Sequence, residues 1–140
     1  MKKYVILCLL VIAAISVSYV CGVDVDNQVV AGLNSTSDLN QGLDDAKVSN
    51  KTVLLIFDQE SCHYCDQLKK DVLSDSEVQK ILNENYTVVI VDVNKEYSLA
   101  ADHQVVGTPT SIFLDSNGQE IGRIDGYVSS DELLDKLKEI

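Results

Sequence analysis

Apolar positions along this chain follow two different periods, and the change from one to the other marks the predicted elements. Two runs with continuous apolar centres, Thr52–Asp58 and Thr87–Val93, are rich in β-branched residues, as is typical of strands covered on both faces. Asn117-Gly118 lies between two shorter runs, Thr110–Leu114 and Glu120–Ile124, and predicts an antiparallel hairpin. The glycine inside the last run predicts a β-bulge there.

Between these runs, apolar residues recur at the three- and four-residue spacing of amphipathic helices. A first helix is predicted from a cap at Ser37 to about Asn50, and a capping box of Ser129 and Glu132 predicts a closing helix. Other helical segments are predicted around Leu68 and Val72, around Val78, Ile81 and Leu82, and at Tyr97–Asp102. This order of elements predicts an α/β domain with a mixed four-stranded sheet and helices on both faces.

The N-terminal residues differ from this pattern. Lys2 and Lys3 precede an uncharged run from Tyr4 to Val20, so residues 1–22 are predicted to be a signal peptide or an uncleaved membrane anchor. Cys21 adds a third alternative, lipid attachment. The polar residues 23–37 are interpreted as a flexible tether and residues 38–140 as the domain, which we expect to be exported, either secreted or membrane-anchored through residues 4–20.

The formal net charge of -11 and the pI near 4.3 exclude nucleic acid as an expected partner. Binding to phosphate backbones draws its affinity from Lys and Arg, which are few here. The basic pair Lys69-Lys70 is interpreted as a solvated helix face. The acidic surface otherwise indicates solubility.

Cys62 and Cys65 are the two cysteines of the predicted domain, and they lie at the predicted start of a helix. Unpaired backbone N–H groups at a helix start favour a thiolate, so Cys62 is the candidate nucleophile and Cys65 the candidate resolving thiol of a disulfide exchange. The same spacing also occurs in zinc sites and in inert disulfides. A structural zinc would need further ligands, and the chain offers only His63 and His103.

Three segments together resemble the thioredoxin superfamily, nearest to its exported members: the strand-loop-helix unit around "CHYC", the later "VGTPT", and the hairpin "DSNGQEIGRIDGY". The resemblance covers residues 39–140. It implies that Pro109 follows a cis peptide bond and faces the cysteine pair, and that Thr108 binds an extended substrate through its backbone. It also implies an enzyme that needs no cofactor and no metal.

Two positions depart from cytosolic thioredoxins. Ser61 replaces a tryptophan before the first cysteine, and Ile56 replaces a buried acid, so the usual proton acceptor for the second cysteine is absent. Glu60 or Asp58 could substitute through water, although each is also explained as a solvated loop carboxylate.

The dipeptide between the cysteines resembles that of exported isomerases and oxidases. His63 could favour the thiolate of Cys62, while the surrounding carboxylates oppose it, and Tyr64 is expected at the rim of the site. The sequence leaves the sign of the net effect open.

The leading hypothesis is therefore an exported thiol–disulfide oxidoreductase that acts on protein disulfides or dithiols through Cys62 and Cys65. A redox partner would regenerate its active state. The direction of electron flow and the oligomeric state stay open. The alternative is a carrier in which the same dithiol holds copper(I) or zinc.

Overall fold

The computed structural model describes residues 29–140. The predicted signal peptide or anchor, Cys21 and the first part of the predicted tether lie outside these residues. The strands are β1 Ser35–Thr36, β2 Thr52–Asp58, β3 Tyr86–Asp92, β4 Thr110–Leu114 and β5 Glu120–Asp125. The helices are α1 Leu39–Ser49, α2 His63–Gln67, α3 Ser76–Asn85, α4 Tyr97–Asp102 and α5 Ser130–Glu139, with a π-helical turn at Leu68–Val72 directly after α2.

The five strands form one mixed sheet in the order β1-β3-β2-β4-β5. β1 and β2 both pair in parallel with β3, whereas β4 is antiparallel to β2 and to β5. The residues from Val53 to Phe57 are all buried, as expected for a central strand between two layers of helices. Alternate side chains of this strand therefore belong to two separate apolar cores.

Each core lies on one face of the sheet. Leu54 and Ile56 of β2 pack in the core that also contains Leu68 of the π-helical turn and Leu134 of α5. The opposite core is built from the alternate residues of β2, with Ala46 of α1 and Ala100 of α4. The α/β class with helices on both faces is confirmed. Among residues 29–140, no helix is long and apolar enough to span a bilayer.

The predicted count of four strands was wrong by one, because β1 forms within the segment interpreted as a flexible tether. Val30 and Leu33 are buried in the core beside the π-helical turn, so this segment packs against the domain from residue 30 onward. Side chains of α3 hold it from outside: Gln79 Nε2 donates to the Ala31 carbonyl at 2.8 Å. The sequence did not reveal this strand because Ser35 and Thr36 are both polar. Val30 and Leu33, the buried apolar residues before it, are too few to show a period.

Local signals at the ends of elements were largely confirmed. α1 begins one residue later than predicted, since Asp38 rather than Ser37 accepts hydrogen bonds from the backbone N–H groups of Asn40 and Gln41. The capping box at the start of α5 is present. Between β4 and β5, Gly118 has φ 81° and the register shifts at Phe113/Leu114, which confirms the hairpin turn and the bulge.

Candidate active site

Cys62 and Cys65 lie where β2 gives way to α2, and they form a disulfide with a Cα–Cα separation of 5.2 Å. Cys62 is the N-cap of α2, and its sulfur accepts a hydrogen bond from the backbone N–H of Cys65 at 3.2 Å. Cys62 is half-buried, whereas Cys65 is only 2% exposed. Only the first sulfur of the pair can therefore be reached from solvent, and the division into nucleophile and resolving thiol stays a prediction.

The loop before β4 covers Cys62 from the other side. The Thr108–Pro109 peptide bond is cis, and Pro109 is buried. The carbonyl oxygen of Thr108 lies 3.5 Å from the sulfur of Cys62, and the Thr108 hydroxyl lies 3.4 Å from it. The same hydroxyl donates to Oε1 of Gln59 at 3.3 Å. The structure thus brings both predicted substrate-binding residues to the cysteine pair, and it adds Gln59, for which the sequence carried no signal.

An aromatic rim borders the exposed side of the site. The rings of His63 and Tyr64 meet edge to face with centroids 5.5 Å apart, and the rings of Tyr64 and Tyr127 lie 6.2 Å apart. Tyr64 is 58% exposed, so its face is available to a partner. Tyr127 was missed by the sequence analysis because it lies 62 residues after Cys65 and only the fold brings it close.

A small cavity of about 10 Å³ lies against Cys65, and none of the aromatic rim residues lines it. Its lining consists of Ile56, Asp58, Cys65, Leu68, Lys69, Leu73, Ile90 and Pro109. This volume is near the minimum that holds one water molecule. Of the two carboxylates considered for a proton relay, Asp58 lines the cavity, while Glu60 is exposed on the loop and does not.

Asp58 is itself paired with a cation. Its Oδ2 lies 2.7 Å from Nζ of Lys69, which also lies 3.3 Å from Oδ1 of Asp66. Burial alone would lower the pKa of Lys69, but the hydrogen bonds and charges of the two aspartates outweigh it and raise that pKa. The interpretation of Lys69-Lys70 as a solvated face holds for Lys70, which is exposed, and was wrong for Lys69, which is half-buried.

The π-helical turn carries Lys69 into this position. The Leu73 N–H donates to the Leu68 carbonyl at 2.9 Å, which is the five-residue spacing of a π-helix. The sequence shows the apolar side of this segment, yet no periodicity predicts the wider turn.

No group of three or more His, Cys, Asp or Glu side chains within residues 29–140 has a geometry that could hold a metal ion. His63 is exposed between the two cysteines, and His103 lies with its ring 6.0 Å from that of Phe57.

A family model described as a thioredoxin-like domain matches residues 39–140. The chain belongs to this thioredoxin-like family. Among solved structures, a thioredoxin from Thermus thermophilus is 31% identical and superposes with a TM-score of 0.69, covering 77% of this chain and 86% of that one. The C-terminal domain of DsbD from Neisseria meningitidis, in its reduced form, shares the fold at 21% identity, with a TM-score of 0.62 over 74% of this chain and 97% of that domain.

The relatives of this chain include proteins named thiol:disulfide interchange protein DsbD. The one from Salmonella typhi is 31% identical over 103 residues, or 70% of this chain. The one from Campylobacter jejuni strain RM1221 is 31% identical over 111 residues, or 76% of this chain. The matched region spans only 18% of either relative.

Membership of the thioredoxin-like family, together with the Cys62–Cys65 pair at the start of α2, supports thiol–disulfide oxidoreductase activity. Within this family, the chain departs from the cytosolic pattern at Ile56, which is buried in the core and lines the cavity against Cys65. The carboxylate of this site instead comes from Asp58, two residues further along β2.

Proposed function

We propose that this protein is an exported thiol–disulfide oxidoreductase that exchanges disulfides with other proteins through Cys62 and Cys65. The observation that carries the proposal is the placement of the Cys62 sulfur. It lies at the start of α2, 3.4 Å from the hydroxyl and 3.5 Å from the carbonyl oxygen of Thr108, while Cys65 is buried directly behind it. A polypeptide lying along Thr108 would bring its own sulfur to Cys62 and not to Cys65.

In the reducing direction, the Cys62 thiolate attacks a substrate disulfide. One substrate sulfur leaves as a thiolate, and the other stays bound to Cys62. Cys65 then gives its proton to Asp58 through the small cavity, and its thiolate attacks Cys62. The bond between Cys62 and the substrate breaks, so the substrate is released as a dithiol and the protein retains the Cys62–Cys65 disulfide. Oxidation of a substrate dithiol is the reverse sequence.

Protein substrates are proposed because the site is an open rim rather than a closed pocket. Tyr64 and Tyr127 present aromatic surface beside Cys62, and Thr108 offers a backbone carbonyl to an extended chain. The relatives from Salmonella typhi and Campylobacter jejuni are named for thiol:disulfide interchange, which supports disulfide exchange as the reaction. A second redox protein would restore the dithiol or the disulfide after each turnover.

Export is proposed from the residues before the domain. The two lysines and the uncharged run from Tyr4 to Val20 favour passage across or attachment to a membrane. A disulfide-permissive compartment is where a reversible exchange of this kind is useful.

The proposal is tested by insulin reduction with dithiothreitol as electron donor, comparing the wild type with Cys62→Ser and Cys65→Ser. Both variants should lose turnover. When the reduced variants are freed of dithiothreitol before insulin is added, only Cys65→Ser should accumulate a covalent mixed disulfide visible by mass spectrometry. Turnover that survives in Cys62→Ser would contradict the assignment of the nucleophile. Stoichiometric copper(I) or zinc on the reduced wild type, with no turnover, would favour a metal carrier instead.

A further inference from the structure

We propose that the end of the domain opposite the cysteine pair is an acceptor surface for N-linked oligosaccharides, attached at Asn34, Asn50 and Asn85. These are the three positions of the chain at which asparagine is followed, two residues later, by serine or threonine. The inference rests on the proposed function, since an oligosaccharide of this kind is attached to exported chains.

Each of the three acceptor sequences lies at the start of a parallel strand. Asn34 directly precedes β1, Asn50 lies two residues before β2, and Asn85 directly precedes β3. β1 and β2 both pair in parallel with β3, and Thr52 at the start of β2 is the partner of Tyr86 at the start of β3. Neighbouring strands are about 4.8 Å apart, so the three sequences lie together at one end of the sheet. We call this end the acceptor pole.

The cysteine pair lies at the other end of the same strands. β2 runs from Thr52 to Asp58, and Cys62 follows in the next loop. A strand of this length spans about 20 Å, at roughly 3.3 Å per residue. A bulky group at the acceptor pole therefore leaves Cys62 and Thr108 uncovered.

The three asparagines are exposed in the folded domain. Asn50 ends α1 in the left-handed conformation, with φ 54°, at the turn into β2. Within residues 29–140, the side-chain amides of Asn34 and Asn50 have no hydrogen-bond partner, and that of Asn85 donates to the Ile81 carbonyl at 3.3 Å on the exposed end of α3. Each amide nitrogen can therefore carry a large substituent without displacing a buried group.

An open cavity of about 640 Å³ joins the three acceptor sequences. Asn34, Lys51 and Thr87, one residue from each sequence, contribute to its lining. Val48 of α1, which is 91% exposed, also borders it, whereas neither cysteine nor Thr108 does. Sugar rings carry both hydroxyl groups and apolar C–H faces, so the first sugars attached here would cover Val48 and the polar groups around it.

The modification is a glycosyl transfer without any change of oxidation state. The donor is an oligosaccharide linked to a polyisoprenyl diphosphate, and a membrane oligosaccharyltransferase of the exporting cell would supply it. Nδ2 of the asparagine forms a bond to the anomeric carbon of the first sugar and loses one proton. The bond between that carbon and the diphosphate oxygen breaks, and the lipid diphosphate leaves with its electrons.

The sites are tested by cell-free translation of the full chain with microsomes, which import exported chains and attach N-linked oligosaccharides. Chains that resist added protease have entered the microsomes. Among them, the wild type should show bands of lower mobility for one, two and three oligosaccharides, and endoglycosidase H should remove these bands. Asn34→Gln, Asn50→Gln and Asn85→Gln should each lose one band, and the triple variant should lose all of them.

Thr52→Ala and Thr52→Ser are a matched pair for the second site, where a change of Asn50 could also affect the end of α1. The alanine variant keeps the asparagine but removes the hydroxyl that the acceptor sequence requires, so it should lose one band. The serine variant keeps a hydroxyl and should keep the band.

The remoteness of the acceptor pole is tested by insulin reduction with the full chain secreted from yeast, before and after endoglycosidase H. The rate of the wild type should change by less than about twofold, because its oligosaccharides lie away from Cys62. Val106→Asn creates a further acceptor sequence two residues before Thr108, at a side chain that is 97% exposed. Its oligosaccharide should slow insulin reduction about tenfold, and the enzyme should restore the rate.

A protease-protected wild type without oligosaccharide overturns the inference and leaves the exchange reaction unaffected. A triple variant that still carries an oligosaccharide overturns it as well, and so does a wild type slowed as much as Val106→Asn. A chain that stays outside the microsomes defeats the proposed export and the inference with it. A chain that reduces no insulin in either form defeats the proposed exchange itself, whatever it carries at the acceptor pole.

Discussion

Cys62 and Cys65 differ in exposure although they belong to the same turn of chain. Cys62 is half-buried beneath the Thr108 loop, and Cys65 is closed off on the side of the core. The difference comes from the fold: Cys62 caps α2 at the surface, while Cys65 points inward with Leu68. Both residues are cysteines, so the difference in solvent exposure between the two sulfurs follows from these positions and not from the residue type.

The aromatic rim provides a prediction at the residue scale. Tyr64→Ala and Tyr127→Ala should each raise the KM for insulin about tenfold, because loss of one ring removes apolar contact area and exposes the other. The kcat should change little, since neither ring takes part in the exchange of bonds between the sulfurs. Steady-state kinetics on insulin and on 5,5′-dithiobis(2-nitrobenzoate) checks this, and the small disulfide should show no change.

Tyr97→Ala is the matched control, because this tyrosine is 74% exposed on α4 and has no ring partner among the described residues. An equal rise in KM for the control, or an equal effect on the small disulfide, would show that the rim does not bind protein substrates.

At the scale of elements, strands could be predicted better than the site that they carry. The continuous apolar run of β2 specified a buried strand, and Asn117-Gly118 specified the hairpin, because both signals are local. β1 could not be predicted, since two polar residues become a strand only by pairing with β3. Likewise, the sequence offered Asp58 and Glu60 as equal candidates, and only their placement relative to the cavity separates them.

The closing helix is joined to the sheet by a buried hydrogen bond. The Tyr86 hydroxyl donates to the Leu137 carbonyl at 2.8 Å, and burial raises the pKa of Tyr86. Tyr86→Phe should lower the free energy of unfolding by about 1 kcal/mol at pH 7. Because the folded pKa is the higher one, wild-type stability from this group is complete below about pH 10 and is lost as pH rises through the folded pKa.

Urea unfolding at pH 7 and at pH 10.5 measures both effects, with Tyr97→Phe as the exposed control. The difference in the free energy of unfolding between wild type and Tyr86→Phe should be smaller at pH 10.5 than at pH 7. A difference that grows with pH would show that the hydroxyl is better solvated in the folded protein than in the unfolded chain.

Because α1 packs closely on the sheet, we expect alanine at the helical position Gly42 to change the stability of the protein in the opposite direction from alanine at an ordinary helical glycine. Alanine normally stabilises a helix interior relative to glycine by about 1 kcal/mol. At Gly42 an added methyl group would overlap Cγ2 of Val89 in β3. Gly42→Ala should therefore destabilise the protein, by roughly 1–3 kcal/mol.

Denaturant unfolding of Gly42→Ala, Val89→Ala and the double variant checks this origin. The double variant should lose less stability than the two single losses added together. In it, the methyl group of the alanine at position 42 occupies the space that Val89→Ala vacates. Additive effects would mean that the helix does not approach β3 at this glycine.

At the scale of the whole molecule, the domain includes residues before the start of the family match at residue 39. Leu33 is fully buried, and Val30 packs in the same core. Leu33→Ala should lower the free energy of unfolding by about 2–5 kcal/mol, the usual range for a large-to-small change in a core. Val29→Ala, at a largely exposed neighbour, should change it by less than about 0.5 kcal/mol.

Thermal and urea unfolding of both variants measures the contribution of this segment. Equal stability of Leu33→Ala and Val29→Ala would place the domain boundary after residue 33 and restore the interpretation of a flexible tether.

The central claim is that Cys62 and Cys65 form a reversible redox couple rather than a permanent disulfide. The most direct measurement is a redox titration of the full chain in glutathione buffers, with alkylation and mass spectrometry to count free thiols. We expect one two-electron transition of this pair, with a midpoint between about -270 and -120 mV, the span from thioredoxin to a strongly oxidising relative. A pair that stays fully oxidised down to below about -300 mV would behave as a structural disulfide and would contradict the account.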